Sequence, residues 1–225
     1  FSPDSQHFVY VAREGKKAFI VLDGKEGKRY DNIYPTFSPD SQHFVYIASE
    51  GSKSFIVLDG KEEKKYNWIW GPTFSPNGQH FAYAAKEGNK GFVVLDGKEG
   101  KKYDKILPLW LKFSPDSQHL ALAYVGYESN KYFVVLDGKE RKKCDGVDSL
   151  TFSPDSQHLA YAAKEGDRGF VVLDGKEGKK YDGVDKLTLT FSPDSQHFAY
   201  VARDKKEKKS ILVLDNHEQG KYDQI

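Results

Sequence analysis

The chain has 225 residues, 38% hydrophobic and 30% charged, with Lys+Arg 34 against Asp+Glu 33 for a net charge of +1. A chain this long can bury a sizeable core in one large or two modest domains, and its balanced charge argues against a protein built to hold nucleic acid, which carries a basic bias or stripe. The single cysteine, Cys144, excludes an internal disulfide framework and any multi-cysteine metal site, and the longest apolar stretch, Leu120 to Tyr127, is far shorter than the roughly 18 residues of a membrane helix.

From the start of the chain, Ser2-Pro3-Asp4-Ser5 reads as a turn, residues 8–12 (FVYVA) as a strand, Glu14-Gly15 as a second turn, and residues 19–22 (FIVL) as a second strand ended by Asp23-Gly24. Both strands are continuously apolar, which fits burial on both faces. Lys28-Arg29-Tyr30-Asp31 reads as a polar edge strand whose basic residues discourage edge-to-edge pairing. The charged KEGKK segments read as turns on an outer rim, a solvated surface. A fourth short strand precedes the next turn, as in Leu187 to Phe191 (LTLTF).

This unit recurs, and fixed-period self-similarity outranks any local reading. The phrase FSPDSQH or a close variant opens at Phe1, Phe37, Phe74, Phe113, Phe152 and Phe191, at spacings of 36, 37, 39, 39 and 39. The acid of a second marker, VLDG, follows in step at Asp23, Asp59, Asp96, Asp137, Asp174 and Asp215. An aromatic-acid pair comes after it, as in Tyr30-Asp31, Tyr103-Asp104, Tyr181-Asp182 and Tyr222-Asp223. Four short strands per repeat give the arithmetic of a propeller blade. The expected fold is therefore all-β: a six-bladed β-propeller of four-stranded antiparallel blades, one domain over residues 1–225 with a narrow central channel. Strand a, innermost, precedes FSPD; b and c follow; d, outermost, carries the KKYD segment. The first blade is expected to lack its innermost strand, because Phe1 holds only the end of one. With no Met anywhere, the sequence is expected to derive from a longer product.

The pattern F-S-P-D-x-x-x-hydrophobic-A-Y/F followed by a VLDG hairpin resembles the WD40-like repeat of TolB-type propellers, and covers the whole chain in six copies. The same repeat type occurs in the propellers of prolyl-oligopeptidase-like peptidases. Two departures stand out: the family's SPDG turn is mostly SPDS here, only Asn77-Gly78 keeping a glycine, and Tyr-Asp replaces the family's frequent Leu-Thr after strand d. The resemblance implies protein or peptide binding, or the gating of an attached enzyme, and a periplasmic or extracytoplasmic location, with the cytoplasm left open. It implies no cofactor.

Repeated polar residues read as structural. Six histidines share one repeat position, namely His7, His43, His80, His119, His158 and His197. Metal ligands must converge to about 2.0–2.1 Å from one ion, which residues one strand outside the axis cannot do. They are expected to bond within the turn, for example to Asp4 and its equivalents; if all charged together near pH 6 they would confer acid sensitivity. The SPD acid (Asp4, Asp40, Asp116, Asp155, Asp194, with Asn77 in the third repeat) suits a turn residue bonding the backbone two residues on. Cys144 stands where other repeats have Tyr and reads as a packing substitution; His217 reads as exposed and idle. No G-x-S-x-G, H-E-x-x-H, P-loop or EF-hand motif is present, and no polar set is unique to one repeat. The expectation is a non-enzyme.

What varies is the segment from d to the next a: DNIYPT (31–36), NWIWGPT (67–73), DKILPLWLK (104–112), DGVDSLT (145–151) and DGVDKLTLT (182–190). Read as loops at one channel mouth, these give an aromatic arc of Tyr34, Trp68, Trp70 and Trp110 opposite an acidic arc of Asp148 and Asp185. The competing reading has the tryptophans, Trp70 and Trp110 first, packed between blades or plugging the channel. The expected partner is a protein or peptide bound by a monomer, with no nucleic acid and no membrane insertion. The alternatives are a carbohydrate-binding (lectin-like) propeller, or the gating propeller of a truncated peptidase.

Overall fold

Two residues in a row with positive φ make the type I′ turn, whose twist matches that of the strands it joins. Asp23 (φ 49°) and Gly24 (φ 78°) do this, as do the later Asp-Gly pairs and, at the last position, Asp215-Asn216. Strand c therefore folds straight back on itself. Lys25–Glu26 already pairs with Val21 and Leu22, and after Gly27, whose N–H donates to the Ile20 carbonyl, the chain regains the sheet at Tyr30, bridged to Ala18. The KEGKK segment is thus the body of strand d and not a rim turn, because the Asp-Gly dipeptide alone completes the reversal.

The computed structural model describes residues 1–117 and 123–224, without the side chains of 107–110 and 123–125. Six antiparallel sheets follow one another, as expected. Blade 1 has three strands, Val9–Glu14 (b), Lys17–Leu22 (c) and Lys25–Glu26 (d). Blade 2 has Asn32–Phe37, Phe44–Glu50, Lys53–Leu58 and Lys61–Glu62; blade 3 has Trp68–Phe74, Phe81–Glu87, Lys90–Leu95 and Lys98–Glu99. Blade 4 comprises Lys105–Lys112, Ala123–Glu128, Lys131–Leu136 and Lys139–Glu140, and blade 5 Gly146–Phe152, Leu159–Glu165, Arg168–Leu173 and Lys176–Glu177. In blade 6 strand a is split into Gly183–Val184 and Thr190–Phe191, ahead of Phe198–Asp204, Lys209–Leu214 and His217–Tyr222. Residues Phe1–Leu111 and Lys112–Ile225 form two compact units.

Strand a corrects the reading of the variable segments as loops. It begins immediately after the strand-d acid, so most of each segment is strand. Pro35 stands opposite Tyr46, and as Asn32, Tyr34 and Thr36 alternate with it in bonding strand b, its missing N–H faces the open edge, where proline is tolerated. Bulges between Trp70 and Thr73 and between Asp148 and Thr151 absorb the extra residues of blades 3 and 5. In blade 6 the Leu187 N–H bonds the Asp185 carboxylate (3.1 Å) and makes a turn. Leu187 is 89% exposed there, and only Thr190–Phe191 of the expected LTLTF strand pairs.

Neighbouring blades share cores. Ile33, Tyr46, Ala48, Phe55 and Val57 of blade 2 pack on Ala18, Ile20 and Tyr30 of blade 1. The same positions recur between blades 2 and 3 around Ile69 and between blades 5 and 6 around Tyr200. Each fully buried ring or branched chain contributes roughly 1.5–3 kcal/mol. The lysine run is part of this join rather than a merely solvated face. Tyr30 Oη donates to Glu62 (2.9 Å), and Lys28 Nζ reaches the same carboxylate at 2.5 Å. Tyr66 and Lys64 hold Glu99 in the same way at 3.0 and 2.6 Å, and Lys179 holds Glu218 at 2.7 Å. Burial pushes the Tyr66 phenol up to about 12.

The SPD acids behave as expected. Asp4 accepts the Gln6 N–H at 3.0 Å and the Ser2 hydroxyl at 2.5 Å, and Asn77 accepts the Gln79 N–H at 3.1 Å. With that carboxylate filled, the histidines bond elsewhere. His7 Nδ1 lies 2.6 Å from Asp23 of the VLDG turn, His43 2.8 Å from Asp59, and His80 2.8 Å from Asp96. His158 and His197 are each 2.7 Å from Asp174 and Asp215; His119 lies outside the described residues. The lone glycine of the SPD turns has a physical reason: at Gly78 (φ 77°) a Cβ would sit 2.2 Å from the Asp40 carboxylate carbon. Cys144 is buried, its thiol pushed up by burial. Without a phenol there, the hydroxyl of Tyr161 is buried with no partner among the described residues.

The bond to Asp23 raises His7 and the bond to Asp215 raises His197, so both hold their protons more tightly than free histidine. The acids are lowered, first by the N–H groups of Phe8 and Phe198, then by the imidazoles. A raised imidazole stabilises the fold below its ordinary 6.5 and loses that contribution as pH rises through its elevated value. A lowered carboxylate stabilises above 3.8 and loses its contribution as pH falls through its depressed value. Acidification from about pH 8 to about pH 5.5 therefore strengthens the pairs, opposite in sign to the acid sensitivity considered from sequence. At low salt the melting temperature is expected to rise over this range and the double variant His7→Gln/His197→Gln to shrink the rise; a fall on acidification contradicts the assignment. Cys144→Tyr is expected to stabilise by about 1 kcal/mol, read as a melting shift of roughly 2–4 °C, by giving Tyr161 a partner.

Candidate functional site

Strand alternation sends Ile33, Ile69 and Val147 into the shared cores and their neighbours to the opposite face. Counting from the strand start, Tyr34, Trp70 and Asp148 occupy the same position of strand a in blades 2, 3 and 5, and Asp185 stands at the matching place of blade 6, directly after Gly183–Val184. The residues two earlier are Asn32, Trp68, Gly146 and Gly183. The sequence candidates are thus variants of one structural position and its neighbour.

These positions line grooves of common construction, each floored by strands a, b and c of one blade and walled by the start of strand a in the next. The groove between blades 2 and 3 encloses about 620 Å³ and gathers Asn32, Tyr34, Ile47 and Ser49 with Trp68 and Trp70. The groove between blades 3 and 4 encloses about 820 Å³ and is lined by the same two tryptophans with Asn67, Lys86, Asp104 and Lys105. Both volumes lie in the range of ligand-binding clefts. Tyr34 and Trp68 are 65% and 61% exposed, so neither is a core residue. Trp70 is half-buried, and its indole N–H, shielded from water, has no hydrogen-bond partner among the described residues. That donor stands in a wall common to both grooves. Trp110 lies on strand a of blade 4, but its side chain is outside the described residues.

The corresponding groove between blades 5 and 6 encloses about 350 Å³ and is charged, lined by Asp148, Asp167 and Asp182 with Lys164, Lys186 and Lys205. Asp148 and Asp185 are engaged by cations. Lys186 Nζ stands 3.8 Å from Asp148, and Arg203 reaches Asp185 at 2.9 Å. Asp185 is held below the usual carboxylate range, first by the Leu187 N–H and then by Arg203. This surface carries both signs rather than an acidic arc. Among the described residues no three His, Cys, Asp or Glu side chains gather where a metal ion could sit.

Sequence reasoning missed the contribution of strand b. Trp68 stands opposite Lys86, and the equivalent positions are Arg13, Ser49, Lys164 and Arg203. This residue, just before the acid that ends strand b, changes character while the rest of the strand is nearly copied. It shares the groove face, a signal visible once strand a is aligned against strand b.

No protein-family model matches the chain, and no curated protein matches it in sequence. Solved structures do match. A eukaryotic initiation factor aligns over 92% of this chain and 60% of its own at 14% identity, with a TM-score of 0.50. TolB from Acinetobacter baumannii aligns over 92% and 60% at 17% identity, TM-score 0.41. The β-propeller domain of the Trilobed protease from Pyrococcus furiosus, described as having an open velcro topology, aligns over 97% and 78% at 12% identity, TM-score 0.40. The chain spans about 60% of the length of the first two. Its own sheets follow one another along the chain, in strand order b to d in blade 1 and a to d in blades 2 to 6.

The fold is a β-propeller. At such identities the likeness is one of fold. Within this propeller the alternation of strand a has a direct test. Trp68→Ala is expected to change stability by less than about 0.5 kcal/mol, whereas Ile69→Ala costs about 2–5 kcal/mol. Chemical denaturation of the two variants checks the facing of the strand.

Proposed function

We propose that this propeller is a non-catalytic scaffold that binds a protein or peptide partner through the strand-a grooves around Trp68 and Trp70. The observation that carries this reading is the pairing of two adjoining grooves across one tryptophan-bearing strand, with Tyr34 at the far side of the first. Exposed aromatic side chains bring large contact area at low entropic cost and are the usual anchors of binding hot spots. The unpartnered Trp70 N–H offers a donor to a backbone carbonyl or other acceptor of the partner, which relieves the cost of a buried unsatisfied group. Lys86, Lys105 and Asp104 at the second groove supply charge at its rim. The aromatic lining is confined to some blades, which suits a single asymmetric partner better than a sugar bound identically at every blade.

A phage-displayed peptide library panned on the intact chain provides the test. Selected peptides are expected to quench or shift tryptophan emission and to lose roughly 30-fold or more in affinity on Trp68→Ala, the equivalent of about 2 kcal/mol. Equal binding by Trp68→Ala, or strong glycan-array hits abolished by the same substitution, overturns the peptide reading, the second in favour of a lectin.

A further inference from the structure

The two grooves that meet at Trp68 and Trp70 differ from an ordinary apolar cleft in the polar groups they leave over. Acceptors near the rings are spent inside the fold. Asn32 Oδ1 accepts the Arg13 guanidinium at 3.0 Å, Asn67 Oδ1 accepts the Gly88 N–H at 2.9 Å, and the Asp104 carboxylate accepts Lys90 at 2.7 Å. Arginine and a backbone N–H can only donate, so both amides are fixed with the oxygen in that bond. Their NH2 groups have no acceptor among the described residues.

The rings add donors of the same kind. The Trp70 indole N–H is shielded from water without a partner among the described residues, and Trp68, an exposed ring, presents another. An indole donates and never accepts, and the same holds for the ammonium groups of Lys86 and Lys105 at the second groove. The grooves thus offer aromatic faces and a surplus of hydrogen-bond donors; hydroxyls such as that of Tyr34 can turn either way.

An occupant must match that imbalance. An ordinary extended segment carries one N–H for each carbonyl. The floor here is the face of a sheet in which strand a is already bonded to strand b, so no backbone ladder receives those N–H groups. A helix uses its own carbonyls internally and leaves none for Trp70 along its length. A polyproline II segment has the complementary make-up: no internal hydrogen bonds, every carbonyl free, and no N–H at proline. It docks in aromatic-lined grooves, and its conformation is set before binding, which lowers the ordering cost.

We propose that the two grooves flanking Trp68 and Trp70 bind a proline-rich segment in the polyproline II conformation, its rings against Tyr34, Trp68 and Trp70 and one of its carbonyls on the Trp70 N–H. This rests on the reading of the grooves as a peptide-binding surface and narrows it to one class of peptide.

In the test the intact chain is titrated with acetylated, amidated octaproline, followed by tryptophan emission. Two octamers serve as controls, the all-D mirror image and a glycine-serine repeat. Octaproline is expected to shift the emission and to bind at least about tenfold more tightly than either control. Trp68→Ala is expected to weaken it roughly tenfold or more. Trp70→Phe, which keeps a ring and removes the donor, is expected to weaken it about fivefold with no loss of melting temperature. The proposal is overturned if octaproline fails to bind, if the D form binds as well, or if either substitution leaves its affinity unchanged. If octaproline fails while library peptides without proline bind in a Trp68-dependent manner, the grooves remain a peptide site and only the proline class falls. If peptides of neither kind bind, both readings fall.

Discussion

The aspartate of each Asp-Gly turn is the constraint on which the blades depend. At Asp23 one residue reverses the chain, donates its N–H to the Phe8 carbonyl, accepts the Phe8 N–H and anchors the His7 ring. The turn between c and d is thereby welded to the start of b, two places 15 residues apart in sequence. Once b and c are locked in register, every later side chain of the blade has its face assigned, since a shift of one residue would turn the apolar set outward. The two sequence markers that keep step through all six repeats, FSPDSQH and VLDG, are the two halves of this joint.

That joint explains what could be read from sequence and what could not. The repeat length, the apolar b and c strands, the short first blade and the turn role of Asp4 and Asn77 were legible, because each rests on residues close together in the chain. The partner of His7 was not: the expected Asp4 is filled by Ser2 and Gln6, and the ring bonds Asp23, 16 residues away across the b–c hairpin. The extent of strand a was hidden, its first residues reading as loop, because Pro35, Gly71-Pro72 and Asp148 are turn formers by composition. An edge strand tolerates a proline and a bulge absorbs an extra residue, so tertiary context overrode propensity. The lysine run looked like a solvated rim because its acceptor lies in the following repeat, as Glu62 does for Lys28.

At the candidate site the same logic concentrates variation. Strands b and c are held by the core and the aspartate joint, which leaves the exposed face of strand a and the last turn of strand b free to differ. One strand-a position carries Tyr34, Trp70, Asp148 and Asp185, and one strand-b position carries Arg13, Ser49, Lys86, Lys164 and Arg203. Two side chains per blade thus set the chemistry of each groove without touching the register beneath it. The aromatic candidates separate accordingly: Tyr34 and Trp68 are exposed, while Trp70 is half-buried with an idle donor.

The clamp of Tyr30 and Lys28 on Glu62 has the same chemistry as that of Tyr66 and Lys64 on Glu99. Every such blade presents the same donor pair forward and the same acceptor backward, so the joins are interchangeable. A gene that loses or duplicates one such repeat keeps each remaining donor matched to an acceptor in the repeat that follows it. The seams of this protein therefore leave repeat number open to change by recombination while the fold of each blade stays fixed.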